Sequence, residues 1–343
     1  MLWKRVYIVI LNWNGWADTL ECLESVFRND HPDYRVIVCD NNSQDNSLEY
    51  IKAWSEGLLD VLAPVDNSLR NYSFPPVNKP ISYTEYDRIE AEAGGKNNKK
   101  DERLVLISNK KNLGFAGGNN VGIRYALARG DFDYIWLLNN DTVVKPDALS
   151  HMVHRMQEKP DAGTCGSTLV YYHKTGNLQA LGGAAYNKWL ALTKHIGMFQ
   201  PPAHPVDLHR VERKLDYIIG ASMLISKDFL RDVGLMSEDY FLYCEEIDWA
   251  VRGKKRFSLA YAPQSVVYHK EGATSGGSAL KPKEKSLTTE YHTVRSRLLF
   301  TKKYFPWCYP TVALGMMGRI VIYLWRRKWN SVWMTLRLLF KHR

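Results

Sequence analysis

Apolar positions along this chain fall into two alternating rhythms. Residues 6–11 form a continuous apolar run rich in β-branched side chains, the pattern of a strand covered on both faces. Over residues 17–27 the spacing changes, and Leu20, Leu23, Val26 and Phe27 share one helical stripe. Residues 34–39 repeat the strand pattern and end at Asp40, and residues 47–54 read as a second helix. Strand, helix, strand, helix at this spacing predicts βαβ units and a mainly parallel sheet.

From about residue 64 to 102 the rhythm breaks into Asn, Pro, Lys and Glu, including Gly94-Gly95-Lys96-Asn97-Asn98-Lys99-Lys100. This predicts a polar, mobile insertion rather than a separate domain. The alternation then resumes. A strand is expected over 104–108, a helix over 119–128, a strand over 134–138 and a helix over 147–156 with Pro146 near its start. Further on, residues 217–226 read as one strand and 228–233 as a short helix. An aromatic strand, Phe241-Leu242-Tyr243-Cys244, runs into Glu245-Glu246-Ile247-Asp248-Trp249. Two short strands are expected at 258–262 and 265–268, ending at His269.

Charge divides the chain unevenly. The net charge is +10, yet residues 295–343 hold 11 Lys/Arg and no Asp/Glu. The remainder carries 35 basic against 36 acidic residues, a balance of −1. A basic domain surface would suggest nucleic acid, and this balance argues against it. A basic, aromatic, apolar tail suggests an anionic membrane surface instead. Within the tail, residues 309–325 are apolar except for Arg319, with Trp307, Tyr309, Tyr323, Trp325, Trp329 and Trp333 at or near the ends. That length is short for a span and the charge is costly there. Interfacial helices lying on the membrane are therefore expected, ahead of a span or of a helix packed on the domain. The five cysteines are scattered and form no CxxC pair, so buried free thiols in a reducing compartment are expected. The N-terminal apolar stretch lacks a small-residue cleavage site, so no signal peptide is expected.

In a parallel sheet, ligands bind beyond the carboxyl ends of the strands. Those ends carry Asn12-Trp13-Asn14 and Asp40-Asn41-Asn42-Ser43. Asp40 either accepts a hydrogen bond from a base or ribose, or caps a turn. Asn112-Leu113-Gly114-Phe115-Ala116-Gly117-Gly118-Asn119-Asn120 is a glycine-rich stretch opening a helix, suited to a phosphate or sugar or else simply a tight turn. Asn139-Asn140-Asp141-Thr142 ends a strongly apolar strand. A carboxylate there suits a hard divalent ion, or a helix cap. Glu245, Glu246 and Asp248 are crowded, which raises carboxyl pKa values and suits a general base; a solvated helix start is the plainer alternative. His269 alone is a structural residue; in company it becomes a ligand.

Taken in this order and spacing, these pieces closely resemble the family 2 glycosyltransferases with the GT-A fold, particularly the bacterial rhamnosyltransferase-like branch. The resemblance runs from about residue 4 to 275. It rests on Val9-Ile10-Leu11-Asn12-Trp13-Asn14, Val38-Cys39-Asp40-Asn41-Asn42-Ser43, Asn112 to Asn119, Leu138-Asn139-Asn140-Asp141, the stretch from Phe241 to Trp249, and Tyr268-His269. It implies an α/β GT-A domain over residues 1–280, a Rossmann-like mainly parallel sheet flanked by helices, followed by a basic amphipathic helical tail over 290–343. The polar insertion lies at about 64–103. It further implies that Asp40 contacts the nucleotide base and Asn12 its pocket. Asn14, Asn42, Asn112, Gly114, Phe115, Gly117, Asn119 and Asn140 would line the donor. Asp141 matches the last carboxylate of the DxD metal motif, His269 a further ligand, and the ion would be Mg2+ or Mn2+. Glu246 would be the catalytic base, with Glu245 the other candidate. Two positions depart from the family pattern: Asn139 stands where DxD has its first Asp, and the acid pair is Glu-Glu.

The implied activity is inverting transfer of a sugar from a nucleotide diphosphate, dTDP-rhamnose by family likeness, to a saccharide or lipid-linked saccharide in cell-surface polysaccharide synthesis. The place would be the cytoplasmic face of the inner membrane, held peripherally. A catalytically inactive nucleotide-sugar-binding relative is the competing reading. A nicotinamide dehydrogenase would place GxGxxG directly after the first strand, and Asn12-Trp13-Asn14-Gly15 stands there instead.

Overall fold

The computed structural model describes residues 3–61, 65–96, 102–202, 206–271 and 286–340. In chain order, β1 (Val6–Asn12), α1 (Trp16–Val26), β2 (Tyr34–Asp40) and α2 (Ser47–Glu56) come first. Next are β3 (Tyr83–Asp87), α3 (Arg88–Glu92), β4 (Leu104–Ser108), α4 (Gly114–Arg129), β5 (Tyr134–Asn139), β6 (Thr142–Val144) and α5 (Ala148–Glu158). There follow β7 (Ala162–Tyr171), β8 (Leu178–Leu181), β9 (Gly183–Asn187), β10 (Leu192–His195), α6 (Leu208–Glu212), β11 (Tyr217–Ile218), β12 (Ser222–Ser226) and α7 (Lys227–Val233). The last are α8 (Glu245–Gly253), β13 (Ser258–His269), α9 (Leu287–Tyr304), α10 (Tyr309–Trp325) and α11 (Trp329–Phe340).

One ten-stranded sheet dominates, in the order β3-β4-β2-β1-β5-β12-β7-β13-β6, with β8 paired to β7. Strands β3, β4, β2, β1 and β5 are mutually parallel, the Rossmann-like half expected from the βαβ rhythm. β1 explains its own sequence. Ile8 and Ile10 meet Leu20 and Leu23 of α1 on one face, and Tyr7 and Val9 join Ile123 of α4 on the other. With both faces covered, alternation disappears and a continuous apolar run results.

Several expectations need correction. The segment expected to be a mobile insertion supplies β3 and α3, and β3 completes the parallel edge of the sheet. Its polar residues mark an edge strand with one face in water, while buried Tyr86 packs near Tyr125. Part of the Gly94–Lys100 run, residues 97–100, lies outside the described residues. The strand expected over 217–226 is two, β11 in a small sheet ordered β10-β9-β11 and β12 in the main one. The two strands expected over 258–268 are one strand, β13, with an irregularity between Ala262 and Val266 around Pro263. Helix α4 begins at Gly114, five residues before the expected start. Residues 241–244 are not a strand: Tyr243 and Cys244 both adopt left-handed backbone, at φ 69° and 71°.

The tail is only partly a tail. Helix α9 packs onto the small sheet, where Phe300 meets Tyr186 edge-on at 5.3 Å. Helices α10 and α11 form a hairpin against α9 through Val294, Leu298, Val312, Met316 and Leu338. The opposite face of the hairpin is apolar and exposed: Leu314, Val321, Trp325, Trp329 and Trp333 face outward. Among the described residues, 306–325 is the one stretch long and apolar enough to cross a membrane. All five cysteines are free thiols, and all but Cys244 are buried.

Candidate active site

Parallel pairing sets the strand-end residues side by side. Asn12 stands opposite Asp40, Asp40 opposite Ser108, and Leu11 opposite Asn139. Within this row Asn12 donates to Asp40 Oδ1 at 2.8 Å and accepts from the Thr19 hydroxyl at 2.8 Å. Asp40 also accepts from the Ser43 backbone amide at 3.0 Å and from its hydroxyl at 2.5 Å. The buried carboxylate thus holds the turn that follows β2. Asn14, at φ 50°, accepts from the Gln44 amide at 2.6 Å, and Asn42, at φ 65°, is exposed. Asn140 is turned inward, donating to Thr19 at 3.0 Å and Gly15 at 3.3 Å.

The glycine-rich stretch is the first turn of α4, and its glycines serve close packing as well as access. A Cβ on Gly118 would lie 2.4 Å from Leu11 Cδ1. Gly117 backs onto Leu113, where a Cβ would lie 2.9 Å away. Gly114 has φ +72°, and a Cβ there would meet the Phe241 carbonyl oxygen at 2.2 Å. Asn112 accepts from the Gly114 amide at 2.9 Å, and Asn119 donates to the Phe115 carbonyl at 3.0 Å. Phe115 donates its own amide to Phe241 at 2.9 Å. This bond ties α4 to the strained turn before α8.

Antiparallel pairing of β6 with β13 brings together Asp141 and His269, 128 residues apart in the chain. His269 Nε2 lies 3.1 Å from Asp141 Oδ1, and its Nδ1 lies 2.9 Å from Gln179 Oε1. Burial alone would raise the Asp141 carboxyl, but the facing His269 and then Lys270 hold it below the usual range. Lys270 is in turn paired with Asp18 and, at 2.6 Å, with Glu21. Among the described residues no three His, Cys, Asp or Glu side chains gather as a ready metal cage. One ionised carboxylate and one oriented imidazole nevertheless suit a hard cation whose other ligands come from phosphate oxygens.

Glu245 and Glu246 open α8, immediately after Tyr243 and Cys244. Two successive left-handed non-glycine residues cost about 1–3 kcal/mol each. The surroundings hold them there from both sides. Phe115 bonds Phe241, the Ser296 hydroxyl of α9 donates to the Leu242 carbonyl at 2.8 Å, and His292 stacks on Phe241 at 4.5 Å. Glu246 keeps part of its surface open, and its Oε1 accepts from the Gly220 amide at 3.2 Å. A Cβ on Gly220 would lie 2.7 Å from that oxygen and 2.9 Å from Phe115, so Glu246 faces the first turn of α4. Glu245 is buried, and its Oε2 has no partner. Burial and then Glu246 push the Glu245 carboxyl well above its usual value, and burial also raises Glu246.

Residues 7–64 and 86–234 match the family described as Glycosyl transferase family 2. The chain belongs to that family. The gap in the match, residues 65–85, falls in the polar segment before and within β3. Glu245, Glu246 and His269 lie beyond the match. A low-salt glycan biosynthesis hexosyltransferase, Agl10 of Haloferax volcanii, is 26% identical over 156 residues, 44% of this chain and 47% of that protein. The rhamnosyltransferase WbbL of Escherichia coli K12 is 28% identical over 147 residues, 40% of this chain and 53% of that protein. The aligned regions span about half the length of these curated relatives. Among solved structures, the mannosyltransferase PcManGT from Pyrobaculum calidifontis, in complex with GDP-Man and Mn2+, aligns with TM-score 0.52 at 12% identity, covering 100% of this chain and 89% of that one. GalNAc-T7 with UDP, GalNAc and Mn2+ aligns with TM-score 0.52 at 13% identity, covering 86% of this chain and 47% of that one. These likenesses establish a GT-A fold.

In this family member several residues around the candidate site carry no strong sequence signal. Asn41 accepts from Asn109 at 3.1 Å and from the Leu113 amide at 3.2 Å, and donates to the Gly114 carbonyl at 3.0 Å. It clamps the start of α4 to the end of β2. Asn120 reaches Met236 and Glu238, fixing α4 to the segment before the strained turn. Gly220 has no side chain to notice, and Lys270 stands next to the better-signalled His269. A cleft of about 880 Å3 lined by Lys159, Glu212, Lys254 and Phe305 touches none of the candidate residues.

Proposed function

We propose that the chain moves a hexose from a nucleoside-diphosphate sugar to a hydroxyl of a membrane-borne saccharide, in one displacement with inversion. Glu246 removes the proton from the acceptor hydroxyl. That oxygen bonds to the anomeric carbon from the face opposite the diphosphate. The bond from the anomeric carbon to the diphosphate oxygen breaks, and its electron pair leaves with the nucleoside diphosphate. Asn12, Asp40 and the first turn of α4 hold the donor, and Asp141 with His269 faces its diphosphate. Mg2+ or Mn2+ held by that pair would supply positive charge to the departing phosphates when bound.

The observation that carries this reading is the position of Glu246. It lies against Gly220 and Phe115, and the next residue, Ala221, accepts a backbone bond from Asn139, two residues before Asp141. These bonds tie Glu246 and the first turn of α4 to the strand end that leads to Asp141, which supports the reading. The name of the E. coli relative makes dTDP-rhamnose the first donor to test, and the H. volcanii relative supports a hexose more generally. The exposed apolar face of the α10–α11 hairpin and the basic tail support a peripheral place on an anionic membrane surface, which we assign to the cytoplasmic face of the inner membrane as the place where a lipid-linked acceptor is met.

A thermal-shift panel of nucleotide sugars with Mg2+ or Mn2+ tests the donor. A true donor at 100-fold its Kd adds about 2.7 kcal/mol of stability. Glu246→Gln should then lower kcat by about 10²- to 10⁴-fold while that shift survives. A panel in which no nucleotide sugar stabilises the protein, or a Gln variant with ordinary turnover, would defeat the reading.

A further inference from the structure

The cleft of about 880 Å3 that lies apart from the candidate residues runs beside α8. Its size falls within the range of about 300–1,000 Å3 usual for small-molecule sites. Ile247, Ala250 and Val251 of α8, with Lys254 just past its end, recur at helical spacing along it. The cleft therefore begins one residue after Glu246 and follows the helix for about 10 Å. Tyr186 of β9 and Phe305 after α9 also line it, their rings 6.4 Å apart and inclined by 29°. Phe257 and Leu259, at the start of β13, extend the apolar surface.

The charges around this surface are unequal. Lys159, Lys188, Arg213 and Lys254 stand against Glu212 and Asp216, a balance of +2 with His209 neutral. Both acids are already engaged. Glu212 accepts from Arg155, Lys159 and the Tyr261 amide, each at 2.9 Å. Asp216 accepts from the Tyr186 amide at 2.7 Å. The other cations are free of such ties. Arg213 and Lys254 make no side-chain hydrogen bond or ion pair with a described residue. Lys188 meets only ring faces, those of Trp189 at 5.8 Å and Phe305 at 5.9 Å. These three exposed residues follow β9, α6 and α8, so three separate elements bring unpaired positive charge to one cleft. Ser258, also in the lining, has a hydroxyl without a partner among the described residues.

Aromatic and aliphatic surface edged by unpaired cations suits a ligand with apolar ring faces and anionic groups. A sugar ring lays its C–H face on aromatic side chains, and carboxylates on it form charge-assisted bonds with Arg and Lys. A nucleic acid would need positive charge well beyond the cleft, whereas the chain before residue 295 has a balance of −1. We propose that this cleft binds an acidic saccharide chain, with its rings on Tyr186, Phe257 and Phe305 and its anionic groups at Lys188, Arg213 and Lys254. The proposal rests on the saccharide acceptor argued above and narrows it to an acidic one. A chain anchored beside α8 keeps its free end at high effective concentration near Glu246, on the same helix.

The test uses the full chain and trigalacturonate as probe, with maltotriose, triglutamate and inorganic phosphate as comparison arms, read by calorimetry at low salt. Trigalacturonate should bind about tenfold tighter than maltotriose, and tighter than triglutamate or phosphate. Arg213→Gln combined with Lys254→Gln should remove that advantage, leaving nucleotide-sugar affinity and, since both sites are exposed, the melting temperature unchanged. Lys255→Gln, exposed and outside the lining, should alter none of these. No binding of trigalacturonate, equal binding of maltotriose, or an unchanged affinity in the double variant would overturn the proposal. Equal binding of triglutamate or phosphate would overturn it too, since the cleft would then read charge without sugar. An equal loss in Lys255→Gln would do the same by making the effect one of overall charge. Failure of the glycosyl-transfer reading shows separately, as absence of stabilisation by every nucleotide sugar while trigalacturonate still binds.

Discussion

Asp248 is the carboxylate that fastens α9 to α8, the helix that carries Glu246, and removing it should be felt in both. It is fully buried on α8, one turn after the glutamates. Its Oδ1 accepts from Arg252 at 2.8 Å. Its Oδ2 accepts from Lys303 at 2.9 Å and Tyr304 at 2.9 Å, both on α9, and from Tyr240 at 3.1 Å. Breaking a buried ion pair by deleting one partner costs about 3–5 kcal/mol. The lower end applies, because the Arg252 and Lys303 side chains stay 26% and 37% exposed and can turn to water. Fully buried Tyr240 cannot, and its lost acceptor adds about 1 kcal/mol. Asp248→Ala should therefore lose about 3–4 kcal/mol in urea unfolding at neutral pH, with transferase activity falling and donor affinity kept. Burial opposes ionisation of Asp248, yet Lys303, Arg252 and Tyr304 outweigh it, so its folded pKa lies below the ordinary 3.8. A depressed carboxyl stabilises above its unfolded pKa and loses that stability as pH falls through the folded one. The gap between wild type and Asp248→Asn should stay constant from pH 8 to about 5 and close only below about 4. A loss under about 1 kcal/mol for the Ala variant, or a gap that narrows between pH 8 and 6, would refute this account of the α8–α9 joint.

Glu245 has the opposite sign: its raised pKa gives stability that is complete below its ordinary value of 4.5 and is lost as pH climbs through the folded value. Glu245→Gln should thus raise the melting temperature at pH 8 and do little at pH 4.5, and equal effects at both would count against a strained carboxylate. Gly114→Ala combines a left-handed backbone, costing about 1–2 kcal/mol, with a Cβ driven into the Phe241 carbonyl. It should destabilise by about 2–4 kcal/mol and lower kcat, and a silent Ala variant would show the α4 contact to be loose. Asp141→Ala should abolish the EDTA-sensitive part of donor binding in calorimetry; EDTA-independent binding in the wild type would remove the metal from the scheme. Trp325, Trp329 and Trp333 are 83%, 58% and 64% exposed, so replacing all three by Ser should leave melting unchanged. Affinity for anionic vesicles should fall at least tenfold per Trp, if each buries about 1.5–3 kcal/mol of apolar surface, and unchanged vesicle binding would defeat the membrane reading.

The parallel half of the fold was legible because its strands are covered by helices on both faces and are written in aliphatic residues. The mixed half was not, and β7, antiparallel to β12 and β8 but parallel to β13, shows why. Its sequence, AGTCGSTLVY, is buried throughout yet half polar or small. The polar side chains satisfy one another across strands: Ser167 meets Ser222 at 2.7 Å and Ser265 at 2.9 Å, and Thr168 meets Tyr261 at 2.7 Å. A core closed by hydroxyl pairs leaves no apolar period to read. The same limit governs the site. Candidate residues could be listed from strand ends, but their partnerships depend on pairings invisible in one dimension. Asp141 meets His269 only because β6 runs antiparallel to β13. Phe241–Cys244 reads as an aromatic strand because aromatics favour sheets, whereas two left-handed residues bend it sharply. That bend persists because α4 grips it on one side and α9 on the other. The basic segment read as a membrane tail therefore has two parts of different character. Helix α9 buries Leu298 and Phe300 and holds the turn that precedes Glu246, so truncating before it should damage the proposed transfer along with the proposed membrane binding. The hairpin beyond it keeps its apolar outer face exposed, so altering that face alone should separate the proposed membrane binding from the proposed transfer.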